Sequence, residues 1–143
     1  MDAERVMRRL ISLPRGARRR LRALRGRGPQ DLPGAPEAWA LLYEAAEGEG
    51  FAPGLLRLLG MAAGFLEHAP GRHPARVLRE RHPRRLLQVL KAEDRETFAW
   101  RLVRELMGTE ADLLVLARDI QYFGEAVRVR WARAAWSSLK EET

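Results

Sequence analysis

The stretch PGLLRLLGMAAGFLEH, residues 53–68, decides the fold of this 143-residue chain. It opens with proline, which suits the first turn of a helix, and apart from Arg57 and Glu67 the residues before His68 are apolar or glycine. A helix that is apolar on all sides has to be enclosed by other elements. Its most apolar part, residues 55–66, is far shorter than the roughly 20 residues of a membrane span. We therefore expect a central core helix and no membrane segment.

Helix-forming residues dominate the whole chain, in which Leu and Ala together number 43 and Val, Ile and Thr only 12. Leu and Ala favour helices and β-branched residues favour strands, which predicts an all-α fold. Asp94 is the predicted N-cap of one helix, with Thr97 three residues further on. We predict a compact bundle of seven to nine helices and no strands, with helices over residues 4–13, 17–25, 36–48, 53–68, 74–80, from 83 onward, 94–107, 112–123 and 125–139.

The length of the chain fits one domain, residues 1–143. A Gly- and Pro-rich stretch, residues 26–36, is the best candidate for a linker, and residues 70–83 contain three prolines and form a second irregular region. These interruptions allow a division into two lobes, residues 1–69 and 70–143.

The positive charge of the chain is concentrated at its start. Residues 1–28 contain ten arginines and two acids, whereas residues 29–143 are nearly balanced. A localised basic patch indicates a polyanionic partner, and nucleic acid is the first candidate. The chain has 24 Arg and only 2 Lys, and the planar guanidinium binds phosphate bidentately. GC-rich codon usage also produces an arginine excess, so the clustering is the stronger observation.

Residues suited to catalysis or metal binding are scarce. No serine follows a nucleophile pattern, and the three histidines, His68, His73 and His82, do not have metal-ligand spacing. The acids around Asp94 are more typical of a helix N-terminus than of an acid–base pair. We expect no catalytic residue, no metal site and no cofactor. The absence of cysteine fits a reducing, cytoplasmic setting.

Arginines recur in rows on the predicted helices, for example Arg101 and Arg104, or Arg130 and Arg133. One such row is more typical of a solvated face. Several rows, together with the basic start of the chain, favour a surface that follows phosphates without reading bases. The four tryptophans, Trp39, Trp100, Trp131 and Trp136, lie near apolar stripes and are predicted as core or interface anchors rather than as base-stacking platforms.

Three stretches between Leu13 and Trp136 carry a family resemblance. They are LPRGARRRLR at 13–22, followed by an aromatic residue and two leucines at 39–43; RVL at 76–78 with PRRLL at 83–87 and AEDR at 92–95; and LARDIQYF at 116–123 with VRVRWARAAW at 127–136. In order and spacing the chain resembles the CasB family, the small subunit of the type I-E CRISPR surveillance complex Cascade. It departs from the family pattern at Ala75, where a glycine is usual.

The resemblance implies a two-lobed, all-helical subunit without catalytic activity. Its partners would be the other Cascade subunits with their crRNA, both strands of the target DNA, and a second copy of itself placed head-to-tail. Sequence recognition would be left to the guide RNA, and the protein would supply charge. Together with the basic rows, this predicts phosphate contacts by nine arginines: Arg15, Arg18, Arg19, Arg22, Arg25, Arg76, Arg84, Arg101 and Arg128.

Two other function classes stay open. A stand-alone helical DNA-binding regulator would need a recognition helix with base-reading side chains, and the chain has no asparagine and few glutamines or serines. A protein-binding adaptor would use the same arginines to bind an acidic protein surface.

Overall fold

We describe residues 1–25, 35–50 and 52–141 from a computed structural model, with side chains as far as Ser137. The linker predicted at residues 26–36 lies almost entirely outside the described residues. Within the described ranges the chain forms nine α-helices and one 3-10 helix, so the prediction of an all-α bundle is confirmed. The helices are α1 (Ala3–Ile11), α2 (Arg15–Arg20), the 3-10 helix (Leu21–Leu24), α3 (Pro36–Ala45), α4 (Pro53–Phe65), α5 (Pro74–Arg81), α6 (Pro83–Leu90), α7 (Arg95–Leu106), α8 (Leu113–Gln121) and α9 (Glu125–Glu141).

Simple end signals set where these helices begin. Proline stands in the first turn of α3, α4, α5 and α6, where its missing N–H removes no hydrogen bond. An aspartate caps each of three others: Asp2 for α1, Asp94 for α7 and Asp112 for α8. The predicted cap at Asp94 is confirmed, because its carboxylate accepts hydrogen bonds from the backbone N–H and the hydroxyl of Thr97, at 2.7 and 3.1 Å.

The expectation of no strands is wrong in one small place. Strands β1 (Glu67–His68) and β2 (Glu110–Ala111) pair in parallel just after α4 and α7 end. The backbone N–H of Ala69 also donates to the carbonyl of Ala111 at 2.9 Å. Two residues are too few to produce an alternating pattern, so the pairing has no signal in the sequence.

Helix α4 is the centre of the fold, as predicted. Residues 55–64 are all buried, because α1, α3, α7, α8 and the 3-10 helix pack around it. Helix α1 also packs against α8, and α5 packs against α6 and α9. Buried side chains from both predicted lobes belong to one core cluster. Among the described residues, no helix combines the length and the apolar character that crossing a membrane requires.

The charged residue in this core helix, Arg57, is buried and forms an ion pair with Glu96 of α7. The pair joins α4 to α7 and explains how a guanidinium is tolerated among leucines. The Nε of Arg57 has no hydrogen-bond partner in the structure.

Candidate nucleic-acid interface

The basic start of the chain lies against α4 because two glycines let it approach closely. A Cβ at Gly64 would lie 3.0 Å from the backbone N of Arg22 and 3.1 Å from the carbonyl carbon of Leu21. A Cβ at Gly60 would lie 2.6 Å from Leu24 Cδ1. With Leu21 and Leu24 fully buried against α4, the arginines between and before them, other than Arg18, are left on the outside. The sequence RGARRRLRAL therefore folds into a short helical segment with an apolar inner side and a cationic outer side.

A cavity of about 340 Å³ opens between this segment and the end of α4. Four of the nine predicted phosphate-binding arginines line it, namely Arg15, Arg18, Arg19 and Arg22. Ala63 and Gly64 contribute backbone, and Glu67, His68 and Glu110 come from the paired strands. We call these nine residues the α2 cavity. It brings four guanidinium groups and two carboxylates together in a space large enough for a phosphate or a small anion.

Arg18 is fully occupied within the protein. Its Nε and Nη2 donate to the carbonyl of Ala63 at 3.2 and 3.0 Å, and Nη2 also donates to the carbonyl of Leu66 at 2.8 Å. Its Nη1 lies 3.4 Å from a carboxylate oxygen of Glu67. These carbonyls end α4, where backbone acceptors lack helical partners and the helix dipole favours a cation. Arg18 therefore caps α4 and offers little to an external phosphate.

Arg15 and Arg19 are exposed, and no carboxylate among the described residues lies within ion-pair distance of either. Arg22 uses only its Nε internally, on the carbonyl of Gly64 at 2.9 Å, and the rest of its guanidinium is exposed. Helix α2 has no acid in its first turn and no side-chain cap, so Arg15 opposes the helix dipole there, and Arg15 and Arg19, one turn apart, repel each other. An anion in the α2 cavity would relieve this repulsion.

Arg25 continues the basic surface towards α7. Its guanidinium carbon lies 5.7 Å from the ring centre of Phe65 and 5.9 Å from that of Trp100. Arg22 lies 5.6 Å from the same phenylalanine ring. Trp100 and Phe65 are partly buried, whereas Trp39 and Trp131 are enclosed in the core as predicted. Trp136 is exposed, so a core position is wrong for this tryptophan, and an interface position stays a prediction.

A second basic region contains Arg84 and Arg101. Two further cavities, of about 430 and about 620 Å³, lie beside α6 and share Arg85. The first is lined by the run RHPRR at residues 81–85. Besides Arg85, the second is lined by Gln88, Arg101, Arg104 and Glu105. Arg81, Arg85 and Arg104 are not among the nine predicted contacts, although Arg104 belonged to a predicted basic row and the run at 81–85 was a visible signal. Glu105 neutralises part of this region, since Arg85 lies 2.9 Å and Arg104 3.4 Å from its carboxylate.

The remaining two predicted contacts line none of these three cavities. Arg128 donates from Nε to the carbonyl of Leu90 and from Nη2 to that of Ala92, which caps the end of α6. Arg76 of α5 is half-buried, and its Nε has no hydrogen-bond partner. Arg101 also donates internally, to the carbonyl of Gln88 at 2.7 Å. The nine arginines thus separate into an exposed group around α2, a pair beside α6, two that cap helix ends, and the half-buried Arg76.

Capping by arginine is a general feature of this fold. Arg9 donates to the carbonyls of Ala45 and Glu47 at the end of α3, and Arg95 donates to that of Gln121 at the end of α8. With Arg18 on α4 and Arg128 on α6, four helices end on a guanidinium from elsewhere in the chain. Part of the arginine excess is therefore structural, which a count of charges does not reveal.

Two histidines have structural roles here. The Nδ1 of His73 accepts a hydrogen bond from the backbone N–H of Ala75 and so caps α5, and the Nδ1 of His68 accepts from that of Leu113. Burial lowers the pKa of His73 below its ordinary value, and the charges of Arg118 and Arg76 act in the same direction. Within the described part of the chain, no three His, Asp or Glu side chains are grouped so that they could hold a metal ion.

Comparison with known proteins identifies no relative of this chain. No protein-family model matches the chain, and no curated protein or solved structure is similar to it at a significant level.

Proposed function

We propose that this chain is a non-catalytic subunit of an RNA-guided DNA surveillance complex of the Cascade type. In this role it bridges other subunits and holds the target and displaced DNA strands through their phosphates. Its partners are the other Cascade subunits with crRNA, both strands of the target DNA and a second copy of itself head-to-tail. The setting is cytoplasmic.

The observation that carries the proposal is the state of Arg15, Arg19 and Arg22. All three are exposed, line one cavity and have no ion-pair partner among the described residues. Cations grouped in this way repel one another, and a phosphate backbone removes the repulsion while releasing its own counterions. Arg25 beside Trp100 lengthens the same surface.

The chemistry of this surface favours contact with the backbone over the reading of bases. Guanidinium groups around a small cavity bind phosphate oxygens, whereas base recognition in a groove uses a helix presenting Asn, Gln, Arg or Ser at regular spacing. The α2 segment is short and closely packed on α4, so it cannot insert into a major groove as a recognition helix does. Sequence discrimination then belongs to a guide RNA, which agrees with the resemblance to CasB.

The first test compares two double variants that remove the same charge from different places. Arg15→Gln/Arg19→Gln changes the α2 cavity, and Arg8→Gln/Arg133→Gln removes two exposed arginines outside it. Affinity for fluorescent single-stranded oligonucleotides of unrelated sequence is measured by anisotropy over a range of salt concentrations. We expect the cavity variant to weaken binding to all sequences alike and to reduce the salt slope by about 0.7 per lost phosphate contact. Equal losses in the two variants would show that net charge, rather than the cavity, holds the nucleic acid.

The second test addresses the complex. The chain is co-expressed with the other Cascade subunits and a guide RNA, and the assembly is purified through one of those subunits. We expect the chain to co-purify in two copies and to increase the affinity of the assembly for matched DNA. A footprint at one defined sequence without guide RNA would favour a stand-alone regulator. Binding to a protein partner that resists nuclease treatment would favour an adaptor.

A further inference from the structure

The side chains next to the α2 cavity have a feature that phosphate binding alone does not use. Arg22 belongs to the cavity and also lies over the ring of Phe65, on whose ring Arg25 lies as well. Arg25 in addition lies over the ring of Trp100. One continuous row therefore leads from the phosphate-sized cavity, through Arg22 and Phe65, to an arginine placed on a tryptophan.

Arg25 is the removable part of this row. It is exposed, it follows the 3-10 helix directly, and none of its guanidinium nitrogens has a hydrogen-bond or ion-pair partner among the described residues. Its attraction to the two rings is the modest cation–π interaction of an exposed site. The ring atoms below it belong to side chains that pack on the core, so they are held in place when the arginine moves.

We propose that Trp100, with Phe65 beside it, stacks one base of a single-stranded nucleic acid whose phosphate occupies the α2 cavity. The proposal rests on the proposed function and adds that the strand is single. A planar guanidinium on an aromatic ring occupies the place that a base takes, and every base has a π face, so stacking here is indifferent to sequence. The bases of a duplex already stack on one another and present no free face to Trp100. The site thus holds an unpaired strand.

The test uses the whole chain and two ligands that differ only in their bases. One is a short oligothymidylate, and the other is an abasic oligomer of the same length with the same phosphates. We expect the protein to bind the oligothymidylate roughly five- to hundredfold more tightly, which is the usual contribution of one stacked base. Oligouridylate is measured beside its own abasic oligomer, and because stacking uses the base alone, we expect the same preference for the oligomer with bases. The affinities for oligothymidylate and oligouridylate are then compared, and the more tightly bound of the two shows whether the strand held is DNA or RNA.

Three variants locate the preference. Trp100→Leu removes the ring and is expected to bind both oligomers equally, while retaining the affinity for the abasic one. Trp100→Phe keeps an aromatic face and is expected to keep most of the preference. Arg25→Gln removes a charge and also the guanidinium that covers the ring, so it is expected to weaken binding to the abasic oligomer and to keep or increase the preference for oligothymidylate. Circular dichroism checks that each variant is folded.

Fluorescence gives an independent readout. Trp39 and Trp131 are enclosed, so in a Trp136→Phe background Trp100 is the tryptophan that a ligand can reach. Oligothymidylate is expected to quench its emission, and the abasic oligomer is not. If the unmodified chain binds both oligomers equally in a salt-dependent way, the stacking proposal is wrong and the proposed function stands. If it binds neither oligomer at low salt, the proposed function fails as well.

Discussion

The indole Nε1 of Trp131 donates a hydrogen bond of 2.6 Å to Oδ2 of Asp119, and both side chains are completely buried. Asp119 lies on α8 and Trp131 on α9, so the bond fixes the last helix against the one before it. Arg118 adds two hydrogen bonds to the same carboxylate, at 2.9 and 3.2 Å, and Arg130 adds one at 3.2 Å. The carboxylate also raises the pKa of Arg118 through these hydrogen bonds. Asp119 and Trp131 are therefore the two halves of one packing contact between α8 and α9.

Replacing Asp119 with alanine is expected to lower the free energy of unfolding by about 3 kcal/mol. The change leaves a buried indole N–H without an acceptor and removes the shared partner of two guanidinium groups. The loss is at the low end for a buried ion pair because Arg118 and Arg130 are themselves 39% and 53% exposed and can be solvated. Urea denaturation measures it, and Glu93→Gln at an exposed position is the control, expected within about 0.5 kcal/mol of the unchanged chain. An equal effect of the two substitutions would contradict the role assigned to Asp119.

Replacing Gly64 with alanine is expected to lower the free energy of unfolding by about 1–3 kcal/mol and to weaken nucleic-acid binding as well. The added Cβ meets the backbone of Leu21 and Arg22, so the 3-10 helix has to move, and the arginines of the α2 cavity move with it. Gly54→Ala is the matched control, because a Cβ there meets open space and alanine is the better helix former. We expect it to leave both properties unchanged or to increase stability by a few tenths of a kcal/mol. Thermal denaturation and anisotropy, measured on both variants, test the prediction.

Arg18 and Arg19 are neighbours with opposite expected effects. Arg18→Met removes the cap of α4 and is expected to cost about 1–3 kcal/mol of stability, with a smaller effect on nucleic-acid affinity. Arg19→Met removes an exposed, unpaired cation and is expected to change stability by less than about 0.5 kcal/mol while weakening binding. Chemical denaturation and salt-dependent anisotropy give the two readouts. The assignment is overturned if Arg19→Met destabilises the chain more than Arg18→Met does.

Much of the fold could be predicted because helix signals are local. Prolines at positions 36, 53, 74 and 83 and the cap at Asp94 are visible in the sequence, and each begins the helix expected of it. The end of α4 was expected at His68 and lies at Phe65, because the last residues leave the helix to form β1 against β2. That pairing joins segments more than 40 residues apart, and no local pattern specifies such a partner.

The candidate site could be predicted only in part, because sequence gives the position of an arginine but not what its guanidinium contacts. Arg15, Arg19 and Arg22 were selected for their clustering and are exposed together. Arg18 was selected on the same grounds, and Arg128 was selected with the later helices, yet both donate to carbonyls at helix ends. The acceptors lie 36 to 48 residues away in the sequence, so the competition between capping and ligand binding is decided by tertiary structure.

The stability of the chain is expected to fall as the pH decreases below about 6.5, with His73 as one cause. Burial is the main reason that its pKa is lower in the folded chain than the ordinary value of 6.5; Arg118 and Arg76 lower it further, and Asp119 and Asp112 oppose the shift. The unfolded chain therefore binds the proton at a higher pH than the folded chain does, so the contribution of neutral His73 is complete above pH 6.5 and is lost as the pH falls towards the folded pKa. A protonated Nδ1 also cannot accept the hydrogen bond from Ala75 that caps α5.

The measurement is urea denaturation at several values between about pH 7.5 and about pH 5.5, where the loss from one histidine cannot exceed about 1.4 kcal/mol per pH unit. His73→Asn keeps a capping acceptor without a titrating group, and its stability is expected to depend less on pH than that of the unchanged chain. Parallel profiles for the unchanged chain and His73→Asn would show that His73 remains neutral, or is equally protonated, in both the folded and the unfolded chain over this range, and the proposed linkage would be wrong.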